Sequence, residues 1–284
     1  MAMKKIVCLI LALMTLMTSA CALADEINVL SREDGSGTRG AFIELFGIER
    51  KNEDGVKVDE TTDECDITNS TSVMMTSVAG NENAIGYISL GSLNDTVKAL
   101  SINGAAATVE NIKAGTYSVA RPFNIATKGE LSPAAQDFIA FIMSADGQQV
   151  IEDRGCIAVA EDAQPFTVGN VSGKVVIAGS SSVAPVMEKL KEAYEALNPQ
   201  VTIELQQSDS SSGMSSVRDG VCDIGMASRD LKDSELEAGL VPLTIAMDGI
   251  AVIVSNDNPV ENLTSEQVRG IYIGEITDWS EVNE

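Results

Sequence analysis

The chain has 284 residues, enough for one large domain or two modest ones that each bury a core. Lys and Arg total 19 against 42 Asp and Glu, a formal charge of −23, so no basic stripe is available for a nucleic acid, and an anion must be held by local dipoles and hydrogen bonds. Histidine is absent, which removes the Ser-His-Asp triad, the Cys-His pair and the zinc helix of metalloproteases.

Residues 1–24 read as a secretory signal peptide: Lys4 and Lys5, an apolar run over 6–17 too short to span a bilayer, then small residues. Ala22-Leu23-Ala24 fits cleavage before Asp25. A competing reading takes Thr18-Ser19-Ala20-Cys21 as a lipobox, with a lipid anchor at Cys21. Either way the protein is expected to be extracytoplasmic. Beyond the leader, Cys65, Cys156 and Cys222 lie too far apart for a disulfide framework and read as buried small hydrophobes, with one bridge and one free thiol as the alternative.

Apolar periodicity then predicts, in chain order, a strand over 27–30, a helix over 38–46, strands over 84–88 and 122–126, a helix over 133–144, a strand over 175–178, a helix over 185–197, strands over 201–206 and 250–254, and a helix over 265–271. The alternation argues for an α/β fold. Val186, Leu190, Tyr194 and Leu197 form one apolar stripe, and Pro185 sits in the first turn, which needs no N–H. Residues 160–173 have the turn-rich composition of a connector.

Four polar loops follow strands. Ser31-Arg32-Glu33-Asp34-Gly35-Ser36-Gly37-Thr38 combines a guanidinium, hydroxyls and glycines at a helix start, the chemistry of an anion nest; it reads equally as an ordinary capped helix. Gly179-Ser180-Ser181-Ser182 and Ser208-Asp209-Ser210-Ser211-Ser212-Gly213 repeat the pattern, and Cys222-Asp223-Ile224-Gly225-Met226-Ala227-Ser228-Arg229-Asp230 ends a short strand in Ser228. Each alone is a turn or cap; together, at the carboxyl ends of strands, they are a more specific signal of an anion site. Arg229 reads as an ion-pair partner of Asp230 or Asp223, or else as a second guanidinium for the anion.

The segments 178–185, 222–228, 263–279 and 31–38, with Ala84-Ile-Gly-Tyr-Ile-Ser89 and the run 122–159, resemble the phosphate-binding proteins of ABC importers. The resemblance implies a type II periplasmic-binding-protein fold, two α/β domains with a hinge and a central anion cleft. Carried over by motif, the phosphate ligands are Arg32, Ser36, Gly37 and Thr38 from one domain and Ser181, Ser182, Ser228 and one or both of Ser210 and Ser211 from the other. Arg32 supplies the main charge and is expected at an exposed cleft. The implied function is capture of inorganic phosphate for a membrane ABC permease by a monomeric binding protein, without cofactor or metal. A receptor or sensor for another oxyanion such as sulfate or molybdate, and a phosphatase-like enzyme, are the alternatives.

Two departures stand out. Some family members carry an acid where this chain has Ser228, an acid that accepts a proton from bound phosphate; Asp209 and Asp223 are the nearest carboxylates in sequence. The serine-loop half also comes first in the family, whereas here it follows the Arg32 half. That order reads as a circularly permuted chain, its old ends fused through 160–173 and new ends opened between Glu284 and Asp25, with a truncated tandem gene as the alternative. The domains are then expected at 25–119 plus 259–284 and at 120–258, with hinge crossings near 120–123 and 255–259.

Overall fold

The computed structural model describes residues 26–282 except 53 and 161. The expected leader 1–24 and the lipid-anchor candidate Cys21 lie outside the described residues.

The principal elements are β1 (Asn28–Arg32), α1 (Gly37–Leu45), β2 (Asp66–Thr68), α2 (Thr71–Ala79), β3 (Ala84–Ser89), β4 (Ala120–Thr127), α3 (Pro133–Ile142), α4 (Ala145–Asp153), β5 (Gly173–Ser180), α5 (Ala184–Leu197), β6 (Val201–Ser208), α6 (Ser210–Arg218), β7 (Ile224–Ala227), β8 (Val241–Val254) and α7 (Ser265–Tyr272). The strands join in the order β6-β5-β7-β4-β8-β3-β1-β2. β6, β5 and β7 are parallel, as are β3, β1 and β2. Between these groups β4 and β8 run antiparallel to their neighbours.

Two large cores, with two smaller ones, pack on this sheet. One gathers Phe123, Ile125, Phe138, Ile177, Leu190 and Ile224, the other Phe42, Tyr87, Leu100, Val252, Ile271 and Tyr272. In the first, Tyr194 on α5 meets Phe138, Phe141 and Phe166 at centroid separations of 5.1, 5.5 and 5.9 Å. Full burial of each such ring contributes on the order of 2–3 kcal/mol. Phe166 belongs to the connector 160–173, so a segment polar in composition is pinned across its lobe by one aromatic. In the second core Phe42 stacks on Tyr87 at 3.9 Å, and Tyr272 meets Phe42 edge-on at 4.7 Å.

The chain passes between the cores at the start of β4: Val119, just before the strand, packs in one and Phe123, within it, in the other. It returns within β8, which pairs with β4 as far as Gly249 and with β3 from Ile250 onward. This return precedes the 255–259 expected for it. Pro242, Asp248 and Gly249 look like strand breakers, yet the backbone stays extended through them, with an irregularity between Thr244 and Ala246 taking up the register shift.

A second difference concerns residues 208–213, expected as a loop. Ser210–Gly213 open helix α6, because Asp209 caps it by accepting from Ser212 N at 2.9 Å. Gly213 lets the helix lie directly on β5: a Cβ there would stand 2.6 Å from Gly179 Cα. Serine's weak helix propensity hides this helix from periodicity.

Candidate oxyanion-binding site

Each polar loop leaves the carboxyl end of a strand, and local chemistry fixes its shape. After β1, Ser36 Oγ accepts from Arg39 N at 3.3 Å and caps α1, leaving the first-turn amides of Gly37 and Thr38 without intrahelical acceptors. Beneath the loop, Tyr87 Oη hydrogen-bonds Ser31 Oγ at 3.0 Å and accepts from Arg32 N at 3.2 Å. Burial pushes the Tyr87 phenol up to about 12, so it stays protonated. Tyr272 Oη donates to Leu30 O at 3.1 Å, which ties α7 to the same strand. Arg39 donates to Arg32 O at 2.7 Å and pairs with Asp59 at 2.7 Å, bracing the loop from outside.

Thr38 is the hub of the site. Its Oγ1 lies 2.7 Å from Ser182 Oγ, 3.3 Å from Ser228 Oγ and 3.1 Å from Arg121 Nη2. Thr71 Oγ1 reaches Ser182 Oγ at 3.2 Å, and Ser180 Oγ donates to Ser228 Oγ at 3.0 Å. Ser210 Oγ accepts from Ser228 N at 3.1 Å. Arg32 donates Nη2 to Ser181 Oγ at 3.0 Å while Nε and Nη2 grip Glu33 at 2.8 and 2.7 Å; its Nη1 is buried without a hydrogen-bond partner.

Most of these contacts cross between the lobes, and so does Ser211 N to Gly35 O at 3.2 Å. The cleft is shut. Arg32 is accordingly 1% exposed, which corrects the expectation of an arginine at an open cleft edge. Closure also explains two glycines: a Cβ on Gly35 would strike the Asp209 carboxylate, and one on Gly37 would strike Ser210 Oγ and come within 2.8 Å of Ser228 Oγ.

Four helix N-termini, those of α1, α2, α5 and α6, open beside this cluster, through Thr38, Thr71, Ser182 and Ser210. Their partial positive charges and the two guanidiniums make a local anion site inside a chain of charge −23. The carboxylates beside these donors are Glu33, gripped by Arg32, and Asp248, whose Oδ2 lies 3.3 Å from Arg121 Nη2.

A profile described as PBP superfamily domain matches residues 22–146 and 164–284. A protein of Streptococcus agalactiae named Phosphate-binding protein PstS 2 is 55% identical over 258 residues, 90% of this chain and 88% of that one. The chain belongs to the phosphate-binding protein family. A namesake from Streptococcus pneumoniae is 45% identical over 256 residues, 90% of this chain and 87% of that one. The solved structure of a phosphate ABC transporter phosphate-binding protein from Streptococcus pneumoniae TIGR4 superposes with a TM-score of 0.71, at 45% identity, covering 90% of this chain and 99% of the other.

Of the ligands that membership in this family suggests, the structure brings together Arg32, Thr38, Ser181, Ser182, Ser210 and Ser228, with Gly37 against the last two. Ser36 lends its hydroxyl to the helix cap. Ser211 turns away, its Oγ 3.3 Å from Arg229 Nη2. Arg229 is held bidentately by Glu235 at 2.9 and 2.8 Å, an ion pair with a different carboxylate from the two expected. Asp209 is occupied as a helix cap, and Asp223 accepts from Val176 N at 2.8 Å, so neither replaces the acid that Ser228 lacks.

The sequence did not single out Arg121, Thr71 or Tyr87 as site residues, and it placed Ser180 in the serine loop without counting it among the ligands. The only signal for Arg121 was a charge opening an apolar strand, and for Thr71 a Ser-Thr-Ser cap before a helix of methionines and valines.

Proposed function

We propose that this chain is an extracytoplasmic, monomeric binding protein that captures inorganic phosphate between two closing lobes and delivers it to a membrane ABC permease, without catalysis. The observation that carries this reading is the buried Arg32 guanidinium, with Nη1 unpaired, among hydroxyls drawn from both lobes. A tetrahedral oxyanion supplies acceptors to every one of these donors at once, and in dry surroundings each charge-assisted bond is strong. The ligands proposed are Arg32, Gly37, Thr38, Ser181, Ser182, Ser210 and Ser228, with Ser36 and Ser211 shaping their loops. The relatives' names, over nearly the whole chain, support phosphate as the anion. The leader at 1–24 supports export, with or without lipid at Cys21.

The lobes are proposed on the expected division, 25–119 plus 259–284 against 120–258, with the return crossing drawn back into β8 so that Ile250–Val254 packs with the first. A permuted order fits this division: one family profile matches in two pieces, and the break between them adjoins the connector 160–173. Calorimetry with phosphate, arsenate, sulfate and molybdate tests the function. Tight phosphate binding with weaker sulfate binding is expected. Sulfate binding with none for phosphate overturns the substrate, and turnover of a phosphate ester overturns the receptor.

A further inference from the structure

We infer that Arg121, carried by the hinge and by neither lobe's serine or glycine loops, is a second guanidinium of the anion site, positioned there by Asp248. The inference rests on the oxyanion reading above and names a ligand that the family motifs do not contain. Arg121 and Asp248 are directly opposed on β4 and β8, at the point where the chain crosses between the cores. Asp248 Oδ2 lies 3.3 Å from Arg121 Nη2, and the same nitrogen donates to Thr38 Oγ1 at 3.1 Å. That threonine is the hub of the hydroxyl cluster, so the guanidinium borders the place where Arg32 and the serines meet.

Its bonding is incomplete in a way that points to a missing acceptor. Arg32 grips Glu33 through two hydrogen bonds and Arg229 grips Glu235 through two, but Arg121 stands only at ion-pair distance from its carboxylate, with no hydrogen bond between them. Its Nε and Nη1 are buried with no hydrogen-bond partner. The Phe123 ring, 5.4 Å from its Cζ, offers only a π-face. Unpaired donors of a buried guanidinium are costly, and a dianion beside them removes that cost. Burial holds the Arg121 guanidinium down to about 10, ahead of the opposing pull of Asp248, as befits a cation short of negative partners.

Asp248 is itself anchored from behind. Its Oδ1 accepts from Gly91 N at 3.1 Å and from the Cys156 thiol at 3.9 Å, while Oδ2, without a hydrogen bond of its own, holds Arg121 through charge alone. A side chain on Gly91 would stand 2.9 Å from Cys156 Sγ, so the anchor needs glycine for its close approach. Both strands belong to the crossing between the cores, so Arg121 stands on the segment that joins the lobes.

The test is calorimetric titration of three proteins with phosphate, arsenate, sulfate and molybdate: wild type, Arg121→Lys, and the double variant Arg121→Met with Asp248→Asn. The double variant strands no buried charge, so its fold is maintained, and circular dichroism and thermal melting without ligand check this. The oxyanion that wild type binds is expected to bind about 10-fold more weakly to Arg121→Lys and at least about 100-fold more weakly to the double variant, as for loss of a buried charge-assisted pair. A folded double variant that binds within threefold of wild type overturns the role of Arg121 alone. A wild type that binds none of the four anions overturns the oxyanion reading and this inference together.

Discussion

Thr38 Oγ1 and Ser182 Oγ meet at 2.7 Å although 144 positions separate them and they belong to opposite lobes. Both groups lie at helix N-termini. Hydroxyls that hydrogen-bond each other in this way need to exchange one partner to accommodate an anion. Closure thus prepares the ligand shell, and the bound anion stabilises the closed form by its differential affinity for it.

Gly37→Ala tests closure directly. The added methyl would collide with Ser210 Oγ and crowd Ser228 Oγ across the cleft, while leaving α1 with a better helix former. Phosphate affinity is expected to fall by about 100-fold or more with the melting temperature of the ligand-free protein little changed, because the cost falls on one conformer. Small-angle scattering should show the variant staying open at saturating phosphate. A variant that closes normally removes Gly37 from the interface.

Arg32→Ala is expected to abolish tight binding. It removes the donor to Ser181 and strands Glu33 beside the site, a loss of about 2–5 kcal/mol for a buried charge pair, or at least roughly 30-fold in affinity. The lobe core of Phe42, Tyr87 and Tyr272 does not depend on this guanidinium, so far-ultraviolet dichroism should match wild type. Binding within a few-fold of wild type would dismiss Arg32 as a ligand.

The buried Asp248 makes stability depend on pH in a defined direction. Burial outweighs the attraction of Arg121, the Gly91 amide, Ser89 and Cys156, and pushes its carboxyl up to about 6. An unfolded aspartate releases its proton near 4, so the native state holds an extra proton between these values. The group's stabilising contribution is complete below the unfolded value and is lost as pH rises through about 6. Between pH 7 and pH 5 the ligand-free wild type should gain roughly 1 kcal/mol relative to Asp248→Asn, at 1.4 kcal/mol per pH unit. Urea denaturation of both proteins at the two pH values measures the difference, and parallel behaviour counts against a perturbed Asp248.

Thiol labelling separates the three cysteines among the described residues. All are unbridged; Cys156 and Cys222 are buried and Cys65 is partly exposed. Burial pushes the Cys222 thiol up to about 11, and burial with nearby Asp248 pushes Cys156 further. Alkylation of the native protein at pH 8 should modify Cys65 at least about 10-fold faster than the others, since the thiolate is the reacting form. Equal labelling under native conditions would mean that the lobes open far more readily than their packing implies.

Much of this was legible in the sequence, and particular residues show why the rest was not. Ser31 to Thr38 and Gly179 to Ser182 announce themselves because anion loops need glycine, hydroxyls and a helix start together. The helices at Pro133–Ile142 and Ala184–Leu197 carry clean apolar stripes. Arg121 and Asp248 carry no such pattern. Each is a charge inside an apolar strand, and its partner lies on a distant strand whose register no local rule supplies. Thr71 was hidden likewise, since its role comes only from meeting Ser182 across the cleft.

Strand β8 also dictates when the protein can become a protein. It is the inner neighbour of both β3 and β4, so β3, made early, keeps one edge bare until Ile250–Val254 leaves the ribosome. Neither half of the sheet can be completed as a nascent segment. The two lobes therefore mature together, after nearly all of the polypeptide is available, and should melt as one cooperative unit.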